Sequence, residues 1–408
     1  MTALIERIKS ADLCAGCGLC AALAPEGAIS MEEDRKGFLR PTQLAKLSRG
    51  AEQVIERVCP GLRIEEPAKE TDGEEHHVWG SIAALQYTWA RDPATRHIGS
   101  SGGALSATLI YLLESRQVDG VVTTAARSDM PIRNATIIAD HTVEIQKAAG
   151  SRYAPSAPLA EIADLLDGRR ALAFVGKPCD VAALRQLARI DPRVDRTFPW
   201  MISFFCAGLP SYEGTDALLS AMGIAKPSEV AAFRFRGDGW PGKATVRAKD
   251  GRVASLDYDT SWGGILTRFI QFRCKICPDG IGQFADIAFA DGWHLNAARR
   301  PTFEEADGRS LALARTHRAA VMLQQAVDAG YLASTLADVT DLPFIQPHQA
   351  GRKGLVPARL LAMRLTGRRS PSFIGLNLRQ NARQLSFETK LRNFLGTLRR
   401  LIAPRRRR

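Results

Sequence analysis

The chain has 408 residues, 45% of them hydrophobic, which excludes a disordered chain and is enough to fill two or three domains. No uninterrupted apolar run approaches the roughly 20 residues that cross a bilayer, and MTALIERIKS lacks the apolar core of a signal peptide, so a cytoplasmic location with reduced thiols is expected. The formal charge of +12 is concentrated: residues 351–408 carry 16 Lys or Arg and one acid, whereas residues 1–350 carry 39 basic and 42 acidic residues, so no nucleic-acid partner is expected of the body.

The first element is a cysteine loop, LCAGCGLCAALAP. Cys14, Cys17 and Cys20 have CxxCxxC spacing, but Ala24 stands where a bacterial ferredoxin has its fourth cysteine before proline. In two-cluster ferredoxins that fourth cysteine serves the other cluster. A domain that lost its second triplet but kept the second CP would complete the first cluster with it, and Cys59 before Pro60 occupies that place. Cys14, Cys17, Cys20 and Cys59 therefore read as one ligand set for a 4Fe-4S cluster. Zinc also takes four cysteines but is usually built from two CxxC pairs. Gly16 and Gly18 permit tight turns and bring N–H groups toward the sulfides. Residues 1–63 are expected to be a ferredoxin-like domain, and the acidic stretch 64–79 a linker.

From 80 to 345, short apolar runs alternate with helical stretches: VDGVVTTA at 118, RRALAFVG at 169, WMISFFCAG at 200 and ADIAFADGW at 285. Such runs suggest strands covered on both faces. The fold class expected is α/β (α+β), with the iron-sulfur domain followed by a mixed, partly parallel sheet. GGALSATLIYLLES reads as a buried helix, and Gly99, Ser100, Ser101, Gly102 and Gly103 open it. Free N–H groups and hydroxyls coincide there, suited to an anion; an ordinary serine cap is the alternative.

Cys179 and Cys206 each end an apolar strand, where open α/β folds place ligands, and Cys274 and Cys277 form a CxxC. A helix after Cys179 would favour a thiolate there. Spacing alone leaves a second cluster, zinc, a redox pair or plain core cysteines open. Residues 346–408 are a basic helical tail. Phe387, Leu391, Phe394, Leu398, Leu401 and Ile402 recur at helical spacing, with Lys390, Arg392, Arg399 and Arg400 on other faces. This fits an anionic membrane surface, peripheral to the inner membrane, or equally a helix docked on the body.

The segments RHIGSSGGALSATLIYLLE, AGSRYAPS, GKPCDVAALR, FFCAGLPS, FRFRGDGWPG, CKICPDGIGQFADIAFADGW and SLALARTHRA run in order from about 90 to 318. Together they resemble the beta subunits of coenzyme F-420 (deazaflavin) hydrogenases and dehydrogenases. That family includes ferredoxin-dependent hydroxymethyl chlorophyll and divinyl chlorophyllide reductases and members found with polysaccharide biosynthesis. The resemblance implies a flavoprotein with FAD and a second 4Fe-4S cluster on Cys179, Cys206, Cys274 and Cys277. It also implies a ferredoxin or other low-potential donor, and a small-molecule substrate reduced by the flavin. An electron-transfer subunit serving a partner enzyme, or a redox accessory of glycan assembly, are the alternatives.

The resemblance further places Ser100, Ser101, Gly102, Gly103, Gly150, Ser151, Tyr153 and Ser156 near the flavin; Lys177 is a candidate cation for its phosphate or ring, or a surface lysine. The catalytic residue is not identified. His97 is a candidate proton donor, Asp291 and Trp293 candidate lining residues, and Arg234, Arg236 and Trp240 candidate anion binders.

Overall fold

The computed structural model describes residues 3–66 and 73–402. Its centre is an eight-stranded mixed sheet in the order Leu332–Leu336, Ala84–Ala90, Ser310–Ala314, Ile287–Asp291, Trp200–Phe204, Leu172–Gly176, Gly120–Ala126, Asn134–Ala139. The four runs singled out from their apolar character are the adjacent strands 287–291, 200–204, 172–176 and 120–126, and they pair in parallel. The remaining pairings are antiparallel, giving the mixed, partly parallel sheet expected.

The reason for unbroken apolarity is visible residue by residue. Val121, Ala173, Val175, Trp200 and Ile202 join one buried cluster, beneath helices Ala104–Glu114 and His317–Asp328. Their chain neighbours Val122, Leu172, Phe174 and Met201 join another, beneath helix Pro178–Ala188. Alternate side chains point to opposite faces, and here both faces are covered.

The front of the chain folds as a short helix (Leu4–Ser10), the cysteine loop, an antiparallel hairpin (Ile29–Glu33 with Leu39–Gln43) and helix Arg49–Val58. Its core is shared with the C-terminal region: Leu4, Ile5, Ile8 and Ile55 pack with Val356, Leu360 and Met363 of helix Arg352–Leu365. Strand Arg63–Glu65 pairs in parallel with Ser372–Ile374. Of the stretch expected to be a linker, 67–72 lie outside the described residues, while Glu74–His76 forms a hairpin with Gly80–Ile82. Helix Phe387–Ile402 packs Phe394, Leu398 and Leu401 inward and leaves Phe387, Leu391, Leu395 and Ile402 outward. The expected apolar stripe is thus divided between two faces. No helix among the described residues is long and apolar enough to cross a membrane.

Candidate functional site

The first thiol set is built by the loop Leu13–Gly18, by the short helix Leu19–Ala22 that carries Cys20, and by the end of helix Arg49–Val58, where Cys59 is the C-cap. Gly18 sits at φ +89°, and a Cβ there would fall 2.8 Å from the backbone nitrogen of Ala160, so the loop turns tightly and presses on the next segment. Gly16 N lies 3.4 Å from Cys14 Sγ. The thiols act on one another: Cys17 feels Cys59 and Cys20, Cys20 feels Cys14 and Cys59, and Cys59 feels Cys14. Burial, reinforced by Cys14, pushes the Cys59 thiol up to about 11.

The second set comes from three places in the sheet domain. Cys179 is the second residue of helix Pro178–Ala188, Cys206 follows strand Trp200–Phe204, and Cys274 and Cys277 flank the end of helix Phe272–Lys275. Cys179 feels Cys206 and Cys277, and Cys206 feels Cys274 and Cys277. Leu209 N donates to Cys274 Sγ at 3.4 Å and Gln271 Nε2 at 3.3 Å. Burial, then Cys274, pushes the Cys206 thiol up to about 12.

All eight cysteines are free thiols. A buried thiol with a raised pKa becomes a thiolate only where a metal compensates its charge, so both donor sets suit a metal group that brings positive charge. Among the described residues, no three His, Cys, Asp or Glu side chains are arranged to hold a single ion. Zinc would need all four sulfurs about 2.3 Å from one centre. A 4Fe-4S cluster has each thiolate on a different iron, and the two sets of four fit that demand in number, chemistry and mutual proximity.

At the carboxyl ends of the parallel strands lies a cavity of about 300 Å³, within the range of ligand pockets. It collects Ser100, Ser101 and Gly103 from the helix entrance, Gly150, Ser151, Tyr153 and Ser156 from the next loop, Lys177, and Cys206 of the second thiol set. Gly102 is not among its walls. At φ +71°, its Cβ position is 2.5 Å from Gly308 O, so this glycine serves a close backbone crossing. The Ser100 hydroxyl accepts from Ser151 N at 2.6 Å and donates to Arg236 O at 3.2 Å, tying the two polar loops together.

Two ion pairs set the electrostatics of the cavity. Lys177 Nζ is 2.7 Å from Asp180 Oδ2 and 3.3 Å from Ser156 Oγ. Burial opposes the lysine's charge, but Asp180 and the Cys179 and Cys206 thiols outweigh it and raise the pKa. Arg236 forms a bidentate pair with Asp291 at 2.8 and 2.7 Å, and Trp240 Nε1 donates to the same carboxylate at 3.2 Å. The guanidinium also lies 4.6 Å from the Tyr258 ring and 5.1 Å from that of Trp293. Burial opposes the arginine's charge too, and Asp291 raises its pKa beyond that effect.

Asp291, Trp293 and Arg236 therefore line the cavity, whereas Arg234 and Trp240 do not. Arg234 pairs with Asp238 at 3.1 Å and donates to Ile98 O. His97 is exposed and outside the lining, with its carbonyl accepting from Gly239 N. Arg152, Tyr258 and Trp262 also form the walls and were not singled out from sequence. Arg152 lay within AGSRYAPS, but Tyr258 caps and Trp262 lies within a π-helical turn, Asp259–Ile265, which has no recognisable pattern although such turns often mark functional sites.

Two family models match this chain: "Coenzyme F420 hydrogenase/dehydrogenase, beta subunit N-term" over residues 85–163 and the corresponding C terminus over 169–339. The coenzyme F420 hydrogenase subunit beta of Methanococcus voltae is 29% identical over 241 residues, 58% of this chain and 78% of that protein. One of the subunits of the F(420)H(2) dehydrogenase of Methanosarcina mazei is 22% identical over 303 residues, 71% of this chain and 80% of that one. The coenzyme F420-dependent sulfite reductase of Methanocaldococcus jannaschii is 25% identical over 301 residues, 70% of this chain but 43% of its own length. Among solved structures, a chain of the F420-reducing NiFe hydrogenase complex of Methanosarcina barkeri is similar in fold, with TM-score 0.52 and 20% identity, covering 73% of this chain and 96% of that one.

Proposed function

The chain belongs to the family of coenzyme F420 hydrogenase/dehydrogenase beta subunits, and on that premise we propose an iron-sulfur flavoprotein oxidoreductase that takes electrons from a ferredoxin-like donor to a small-molecule substrate. Its relatives are oxidoreductase subunits that transfer electrons, and this chain is read in the same class. What supports the finer reading is one juxtaposition: Cys206, a member of the second thiol set, stands in the wall of the cavity that gathers the glycine and serine loops.

Cys14, Cys17, Cys20 and Cys59 would hold one 4Fe-4S cluster, and Cys179, Cys206, Cys274 and Cys277 the other. The clusters supply one-electron transfer and bound FAD pairs two electrons for hydride-type chemistry. Ser100, Ser101, Gly103, Gly150, Ser151 and Tyr153 would bind the flavin, with the Lys177–Asp180 pair holding positive charge beside it and Arg236 kept in place by Asp291. Tyr258, Trp262 and Trp293 exclude water from the remaining wall. The names of the relatives make a reduced deazaflavin the alternative to ferredoxin as donor.

Anaerobic purification tests the reading. A brown protein with about eight irons and releasable FAD is expected, falling to about four irons in both Cys59→Ser and Cys206→Ser. A colourless zinc protein without flavin would refute it. A second surface bears on partners. Phe387 and Ile402 are 75% and 66% exposed beside exposed Arg392, Arg399 and Arg400, and this mixed apolar and basic face supports docking on an anionic membrane.

A further inference from the structure

The two thiol sets meet across a short stretch, Gln271–Arg273, that supplies no thiol to either. Gln271 Nε2 lies 3.4 Å from Ala15 O, inside the first cysteine loop, and 3.3 Å from Cys274 Sγ of the second set. Arg40 Nη2 donates to its Oε1 at 2.9 Å. Arg273, directly before Cys274, is 2% exposed. Its Nη2 donates at 2.6 Å to the carbonyl of Pro60, the residue after Cys59, and its guanidinium lies 5.3 Å from the Phe373 ring centroid. Its Nε has no partner.

Among the described residues, the Arg273 guanidinium bonds to a carbonyl, that of Pro60, and to no carboxylate. A buried guanidinium without an anion costs several kcal/mol, so the missing negative charge has to be found nearby. It stands between the two sets, its Nη2 on the carbonyl of the residue after Cys59 and its own backbone joined to Cys274. Four thiolates around a 4Fe-4S core leave a net negative charge, which supplies the anion on each side. Arg352 differs: its Nη atoms donate to the carbonyls of Cys206, Ala207 and Cys274, within the second set alone.

We propose that Arg273 is a counter-cation shared by both clusters, a positioning residue whose fixed charge makes each easier to reduce, while Gln271 holds the two cysteine loops together. This rests on the two-cluster reading. With both groups bound, Cys14, Cys17, Cys20 and Cys59 would hold the donor and Cys179, Cys206, Cys274 and Cys277 the acceptor of a one-electron exchange in which no bond at Arg273 changes. A buried cation favours the more negative, reduced state of whatever lies beside it.

The test is an EPR-monitored redox titration of the full chain, reconstituted anaerobically with iron and sulfide, the two signals being assigned in Cys59→Ser and Cys206→Ser. Arg273→Gln is expected to lower the reduction equilibrium of both clusters about tenfold, about 59 mV for a one-electron couple. Arg352→Gln should lower the second alone, and Arg273→Lys should stay near the wild type. Unchanged potentials in Arg273→Gln, or a shift in one cluster only, overturn the proposal. If Arg273→Gln loses iron, Arg273→Lys decides: recovered clusters at wild-type potentials support a charge role, and the same loss overturns it. A wild-type chain that fails to form two clusters instead removes the reading on which the proposal stands.

Discussion

Removing Asp291 should unsettle the cavity more than removing its partner. The Arg236 side chain is 3% exposed and that of Asp291 19%. In Asp291→Ala the guanidinium stays buried, keeping its bond to Pro241 O and its aromatic neighbours but losing its anion. Stranding a buried charge costs about 3–5 kcal/mol, and the lost Trp240 bond adds about 1 kcal/mol. The partial exposure of Asp291 argues for the lower end, about 4 kcal/mol in all. Arg236→Met leaves a carboxylate that reaches water and should cost about half as much, and the double variant should cost less than the sum by about 1–3 kcal/mol. Urea unfolding of the four proteins, followed by far-UV circular dichroism, closes the cycle. Single effects that add to within about 0.5 kcal/mol would show the two groups to be independent and refute the account of Arg236 as a residue held by Asp291.

Burial lowers the pKa of Lys353 to about 8, with Asp279 partly opposing this, while its ordinary value is 10.5. Between those values the unfolded chain binds the proton and the folded chain does not, so stability rises with pH across that window. The stability of the wild type relative to Lys353→Met should therefore climb by about 3 kcal/mol from pH 8 to 10.5, and a difference that stays flat in urea titrations would contradict it. Gly18→Ala forces a left-handed residue at about 1–2 kcal/mol and drives a Cβ against Ala160; iron analysis should show preferential loss from the first set. Leu391→Glu with Leu395→Glu should abolish sedimentation with phosphatidylserine vesicles at low salt while leaving the melting temperature almost unchanged, because both side chains face outward. Equal sedimentation of variant and wild type would reject membrane docking.

The cysteine spacing was legible because that signal is short-range. The triplet at Cys14, Cys17 and Cys20 lies in one loop, and the terminal Cys59–Pro60 follows from how ferredoxin ligands cross over. Strands 120–126, 172–176, 200–204 and 287–291 were visible because a strand covered on both faces has no polar side to show. Gly103 and Gly102 looked alike in sequence, yet one lines the cavity and the other serves the crossing at Gly308. His97 stood beside the right motif and still faces outward, since helix Pro93–Ile98 ends before the chain turns inward.

Residue pattern alone thus determined the class of the sheet and which cysteines are spaced as sets, both consequences of spacing and alternation along a single stretch. Tertiary structure alone decided what stands between those stretches. Gln271 and Arg273 touch partners more than 200 residues away, Arg236 finds Asp291 across 55 positions, and the last helix turns one apolar stripe inward because helix Arg352–Leu365 is there to receive it. Such contacts depend on where separate segments end in space, and local periodicity holds no record of that.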